Sequence, residues 1–321
     1  MEIKTGAVFG LIMVLIYNFL DAGKEVYSGH LVQSLHPMLV TFIVFSTVLV
    51  FFQCICLVKL SRDYIIPLQY PVIITLLNIT TVGSWVTFFY CLRYIEPAIA
   101  SAIITGFAPL IIVIISPFLY RNEKRQYRLS LLLGIALCSL WLSIISLQVD
   151  NKNHSYTNYE IVAGIVLAIS CAFFSILSNI LSKKLSDRKC IPESIMAHRF
   201  YLTIIVTFSY IYDVNIEHLS DSGLFPGVLF LAILGVILPL WCLQYAIKHL
   251  APAKVMIFMS ISPVFTYVFQ LLDPRLSPTY SSLVAILLLC CFSLATEIWQ
   301  IRHKGSTLDN GYNGVPEDKR S

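Results

Sequence analysis

The chain has 321 residues, 57% of them hydrophobic and 12% charged, and a formal net charge of +4 at pH 7. Soluble domains carry about 25% charged residues, so this much apolar surface cannot be hidden in one water-soluble core, and lipid is the solvent that fits it. The positive balance lies in small basic clusters between apolar runs, which excludes a nucleic-acid footprint and carries topology information instead.

A helix that crosses a bilayer needs about 20 mostly apolar residues. Runs of this kind at 6–27, 36–58, 66–92, 97–120, 129–148, 160–182, 192–212, 224–247, 252–272 and 279–301 predict an all-α integral membrane protein with ten transmembrane helices. The first run continues past Leu20 without a small-residue cleavage pattern, so it is expected to be retained as a span. On it, Tyr17, Asn18, Asp21 and Lys24 share one helical face toward the outer end. A carboxylate at that depth costs about 2.5–3.5 kcal/mol on insertion scales. Asp21 therefore either faces a water-filled cavity or a cation, or pairs with Lys24 near the interface. In the first case its exchange between wet and occluded surroundings makes it a candidate for proton coupling.

Span 3 offers Asn78, Thr81 and Trp85 as cavity-lining or packing groups. Ala98, Ala102 and Gly106 form a close-packing stripe on span 4, and Ser175, Ser178, Asn179 and Ser182 a packing face on span 6. Between spans 5 and 6, Asn153-His154-Ser155 is a glycosylation sequon on the outer side, with meaning only in a secretory lumen. Arg199 stands seven residues after Pro192, about 10 Å along span 7. It either lines a cavity, where it would prefer anionic groups, or snorkels to the inner surface. Trp241, Gln244, Tyr245 and Lys248 follow at i, i+3, i+4 and i+7 on span 8, suited to stacking on and hydrogen-bonding an organic solute, with an interfacial aromatic belt as the alternative. Lys254, just past Pro252, belongs to the inner interface, and the stretch 303–321 reads as a disordered cytoplasmic tail.

With the N-terminus in the cytoplasm, sixteen lysines and arginines fall on the inner side and four, Lys24, Arg93, Lys152 and Arg275, on the outer, leaving Arg199 and Lys254 within spans. That asymmetry predicts both termini inside. An internal repeat organises the spans. Tyr90 to Ala98 (YCLRYIEPA) reads like Tyr245 to Ala253 (YAIKHLAPA), an offset of 155 residues that also lays His36-Pro37 onto Ile191-Pro192 and, with a one-residue slip, pairs Pro109 with Pro263. Each half, 1–155 and 156–302, holds five spans, an odd number, so the second is expected upside down relative to the first. No motif for bond-making chemistry or for a cofactor is visible, and the nine cysteines lie within or at the edges of apolar segments, Cys190 in a polar loop excepted, so neither disulfides nor a zinc site is expected.

Five-plus-five spans, the short Pro-containing link between spans 3 and 4, Ala108-Pro109 followed by apolar residues and Glu123, and Gly134 early in span 5 resemble the EamA-type branch of the drug/metabolite transporter superfamily over residues 6–301. Arg199 matches an arginine frequent near the start of span 7 in that family, whereas Val44 stands at the paired position in span 2 and Asp273-Pro-Arg-Leu-Ser277 has no equivalent of Glu123. The resemblance implies alternating-access transport, outward, of amino acids or related small metabolites across a bacterial cytoplasmic membrane, with protons a candidate coupling ion. Tyr17, Asn18, Asp21, Asn78, Trp85, Arg199, Trp241, Gln244 and Tyr245 are the candidate solute-binding residues. A nucleotide-sugar or phosphate-ester exchanger is the alternative, but it wants a strongly cationic cavity, for which only Arg199 and Lys254 are at hand. A receptor or scaffold would need a soluble domain that outer loops of about a dozen residues do not supply.

Overall fold

The computed structural model describes residues 2–59, 63–119, 128–148, 157–211, 224–250, 255, 258–276 and 278–312. Among them the chain folds into ten helices: α1 (Glu2–Ser34), α2 (Pro37–Lys59), α3 (Pro71–Tyr94), α4 (Pro97–Leu119), α5 (Leu129–Gln148), α6 (Asn158–Asp187), α7 (Pro192–Ile211), α8 (Leu224–His249), α9 (Ser262–Gln270) and α10 (Tyr280–Tyr312). They follow the ten predicted runs in order. Seven, α2 to α8, are long and apolar enough to cross a membrane by length and composition. Their outward faces carry Val50, Leu57, Leu137 and Ile205 exposed, a distribution stable in lipid and costly in water.

Punctuation in the sequence sets the helix ends. α2, α3, α4 and α7 each open on a proline, whose fixed φ suits the first turn and whose missing N–H would be unpaired there anyway. Thr157 and Glu160 close a capping box on α6, with the Thr157 N–H donating to Glu160 Oε2 at 2.9 Å. The same helix ends on Lys189 in the left-handed region (φ 66°), while the Cys190 N–H returns to the Leu185 carbonyl at 3.1 Å and satisfies an end carbonyl.

Two helices are irregular at their middles. α7 runs as Pro192–His198 and Tyr201–Ile211 with a step at Arg199 and Phe200, and α8 contains a π-helical stretch, Leu231–Ile237. α3 packs along α6 and α1 along α8, α4 against α6 and α1 against α9, while α2 meets α7, α4 meets α9 and α5 meets α10. Close approach depends on small residues. A Cβ on Gly83 would lie 2.7 Å from the Phe174 ring across the α3/α6 contact, and one on Gly106 2.7 Å from Leu289 of α10, next to the buried Ala98 and Ala102.

Three expectations change. α1 does not end near residue 27 but continues to Ser34, so its polar group lies mid-helix and not toward the outer end. Lys24 accordingly leaves the outer loops, because it is buried in the bundle. α10 continues to Tyr312, well into the stretch expected to be a disordered tail. Glu123, the Asn153-His154-Ser155 sequon, Lys254 and residues 313–321 lie outside the described residues.

Candidate functional site

The middle of α1 carries the densest set of buried polar groups. Asp21 and Lys24 are one turn apart, and Lys24 Nζ donates to Asp21 Oδ1 at 2.5 Å with both side chains nearly closed to solvent. The Lys24 ammonium also stands 4.9 Å from the Trp85 ring centre and 4.6 Å from that of Phe88, both on α3, so its charge is shared between a carboxylate and two aromatic faces. Gly235 in the π-helical part of α8 leaves the space for it, since a Cβ there would be 3.0 Å from Lys24 Cγ. Glu25, one turn beyond Asp21, is buried as well and accepts from Thr266 Oγ1 of α9 at 2.5 Å. Tyr17 is buried on the same face of α1, and Asn18 donates from Nδ2 to the Phe258 carbonyl at 2.6 Å. Residues from α1, α3, α8 and α9, and so from both halves of the chain, meet here.

A second group gathers at the step in α7. Leu202 N–H would ordinarily donate to the His198 carbonyl four residues back. The Asn78 amide of α3 stands in that gap: its Oδ1 accepts from Leu202 N–H at 3.1 Å and its Nδ2 donates to the His198 carbonyl at 2.8 Å. The wedge satisfies both backbone groups that the step would orphan. Arg199, 5% exposed, lies on the step and donates from Nη2 to Ser178 of α6 at 2.6 Å and from Nε to Thr81 of α3 at 3.4 Å, with Met196 Sδ 3.9 Å from Nη1. It is therefore held within the bundle and does not snorkel. An aromatic stack separates the two groups. Trp85 and Phe45 have ring centres 4.8 Å apart, Phe45 and Phe200 5.0 Å, and the Arg199 guanidinium stands 5.4 Å from the Phe200 ring.

The third group lies at the first turn of α7. Trp241 Nε1 and the Tyr245 hydroxyl, both on α8, donate to the same oxygen of Glu193 at 3.2 and 2.7 Å. Gln244, between them in sequence, is buried. A fourth link, Gln270 of α9 with Glu96 at the start of α4 (2.7 Å) and with the Ala98 N–H (3.0 Å), ties the halves together.

The nine candidate residues thus divide. Tyr17, Asn18, Asp21 and Trp85 lie in or beside the α1 group, Asn78 and Arg199 at the α7 step, Trp241 and Tyr245 on Glu193, and Gln244 is buried on α8 between those two in sequence. Sequence reasoning missed Glu25, Glu96, Glu193 and Thr266. Glu25 could have been found from its i+4 spacing to Asp21, had α1 been given its full length. The other three sit beside prolines or in apolar stretches, and only the packing shows their partners.

Residues 162–298 match the EamA-like transporter family. No curated protein matches the chain. A solved structure described as "Crystal structure of protein" superposes with a TM-score of 0.58 at 16% identity, covering 92% of this chain and 96% of the other, a likeness of fold alone.

Proposed function

We infer, from a chain that belongs through residues 162–298 to the EamA-like transporter family, that this multi-pass membrane protein carries small organic metabolites, amino acids or related compounds, out of the cell by alternating access. The observation that carries the reading is the ion-paired, aromatic-walled polar group at the middle of α1, assembled from both halves. Three charged side chains on adjacent turns are costly inside a bilayer and are kept where they serve a solute or ion path. Tyr17, Asn18, Asp21 and Trp85 form one part of the path, Asn78 and Arg199 a second, and Trp241, Gln244 and Tyr245 a third.

Two five-helix units, 1–155 and 156–302, related by an in-plane pseudo-twofold would supply two states of similar energy. The packing supports that relation. Exchanging each helix with the one five places on turns the α3/α6 contact into α8/α1 and α4/α6 into α9/α1, and it returns α2/α7, α4/α9 and α5/α10 to themselves, and all of these contacts occur. Both halves also open their second helix on a proline, Pro37 and Pro192. Termini on the cytoplasmic face of a bacterial inner membrane follow from the basic-residue count and the family resemblance.

Protons would couple through Asp21. Around it stand Lys24, Glu25 and Tyr17 of α1, so its charge and the Lys24 pair form one electrostatic unit. The test is flux in proteoliposomes loaded with a labelled amino-acid mixture, with and without an imposed pH gradient. Wild type should respond to the gradient, and Asp21→Asn/Lys24→Met, which leaves neither charge of the pair buried alone, should bind solute without responding. An absence of flux across the amino-acid panel would sink the substrate reading, and an unresponsive wild type the coupling.

A further inference from the structure

We propose that Arg199 is an oxyanion-recognition residue, presented by the Asn78-wedged step of α7, and that it takes the carboxylate of the transported solute. The inference rests on the transport reading and names the group that the path recognises.

The observations are geometric. Arg199 is buried, and among the described residues no carboxylate pairs with it; the ion pairs present are those of Lys24, Lys183 and Arg275. Its partners are two hydroxyls and a thioether, all neutral. A guanidinium has five N–H donors in a planar fork that matches a carboxylate or phosphate edge. Neutral acceptors satisfy hydrogen bonds but leave the charge uncompensated, and an uncompensated charge inside a bilayer is expensive. An anion arriving beside it removes that expense. The surroundings suit one. Ser178 and Thr81 lie 3.4 Å apart beside the guanidinium, and each can turn its O–H toward an incoming oxygen. One turn further along α6 the Ser182 hydroxyl, and one turn further along α7 the Thr203 hydroxyl, are fully buried and have no hydrogen-bond partner among the described residues. Seven buried hydroxyls among the described residues have no hydrogen-bond partner, and these two stand one helical turn from Ser178 and from Arg199 along their own helices.

The step explains why the cation points into the bundle. In a continuous helix Arg199 would lean toward the start of α7, back along its own axis. With the Leu202-to-His198 hydrogen bond opened by Asn78, the guanidinium reaches α6 and α3 as well as Met196 one turn back on α7. Asn78 is thereby a positioning residue for Arg199.

The test needs no knowledge of the natural solute. The purified full-length protein is melted in detergent at constant ionic strength with sodium benzoate, with benzamide, its neutral isostere, and with phenyl phosphate; the ring is chosen for the Phe45 and Phe200 faces beside Arg199. Benzoate should raise the melting midpoint of wild type above that in benzamide, because only a ligand bound to the folded state shifts it. Arg199→Gln should abolish the difference and Arg199→Lys should keep part of it. Should Arg199→Gln fail to fold, Ser178→Ala keeps the guanidinium and should raise the half-saturating benzoate concentration about fivefold, one hydrogen bond's worth. A larger, Arg199-dependent shift with phenyl phosphate would keep the oxyanion site and make the solute a phosphate ester. Equal shifts with benzoate and benzamide, no shift with either anion, or a benzoate shift that survives Arg199→Gln or is unaltered in Ser178→Ala would overturn the proposal. Loss of amino-acid flux in proteoliposomes would leave this result untouched, so the two failures are distinguishable.

Discussion

At the scale of single residues, buried charge dominates. Lys24 and Asp21 neutralise each other in a nearly solvent-free space, and removing one partner leaves the other unpaired. Lys24→Met should therefore cost about 3–5 kcal/mol, read as a fall in thermal midpoint and in the yield of monodisperse protein, and the double variant Asp21→Asn/Lys24→Met should recover most of it. A double variant as unstable as the single one would mean that Lys24 acts through Trp85 and Phe88 and not through the carboxylate. A pair in the turn after α9 behaves differently. Burial works against the charge of Asp273, but the hydrogen bonds and charge of Arg275, which also donates to Gln33 of α1 at 2.8 Å, hold its carboxyl below the usual carboxylate range. A lowered carboxylate contributes stability in full above its unfolded pKa of about 3.9 and loses it as pH falls through the folded value. Wild type should lose stability over that acid window, and Arg275→Gln should flatten the loss; parallel pH profiles would remove the pair from the account. Asp21 was legible in the sequence because a carboxylate in an apolar run is conspicuous. Its partner could not be settled there, since an i+3 lysine satisfies an interfacial and a buried reading alike, and only the true end of α1 decides between them.

At the scale of the helix, the sequence shows where elements begin more clearly than where they bend. Prolines at positions 37, 97 and 192 stand within one residue of three expected starts, because proline's local geometry is the same in any fold, whereas the run expected from 66 opens as a helix only at Pro71. The step at Arg199 has no local signature: neither glycine nor proline stands at it, and its cause is an amide on another helix. Asn78, a candidate solute contact from its place on α3, makes its bonds to the backbone of α7. Replacing it by alanine removes both side-chain bonds and lets Leu202 N–H return to the His198 carbonyl. The protein should then lose no more than about 1–3 kcal/mol of stability, since both backbone groups can pair with each other. Solute binding should fall far more than that, because Arg199 loses its direction. Hydrogen exchange at Leu202 together with a benzoate titration checks both halves of the expectation. Exchange at Leu202 as fast as in an open loop would mean that α7 does not close, and the wedge would be structural only.

At the scale of the whole molecule, ten helices and their order were readable from hydropathy, since lipid imposes span length directly. Which helix packs on which was not, because the contacts rest on matched small and large residues such as Gly83 against Phe174, which no single-chain pattern displays. Orientation rests on charge. With Lys24 withdrawn into the bundle, the outer side keeps only Arg93, Lys152 and Arg275, so the burial of Lys24 sharpens the basic asymmetry. The expected topology places Lys184, exposed at the end of α6, in the cytoplasm and Asn153 outside. In a background freed of the nine native cysteines, of which Cys54 and Cys291 are exposed, a cysteine introduced at Asn153 should react with a membrane-impermeant maleimide on intact cells, and one at Lys184 only after permeabilisation. The reverse pattern would turn the molecule over and put the Arg199 step nearer the outer face. Equal labelling of both positions on intact cells would break the odd number of crossings between them, and with it the inverted relation of the halves.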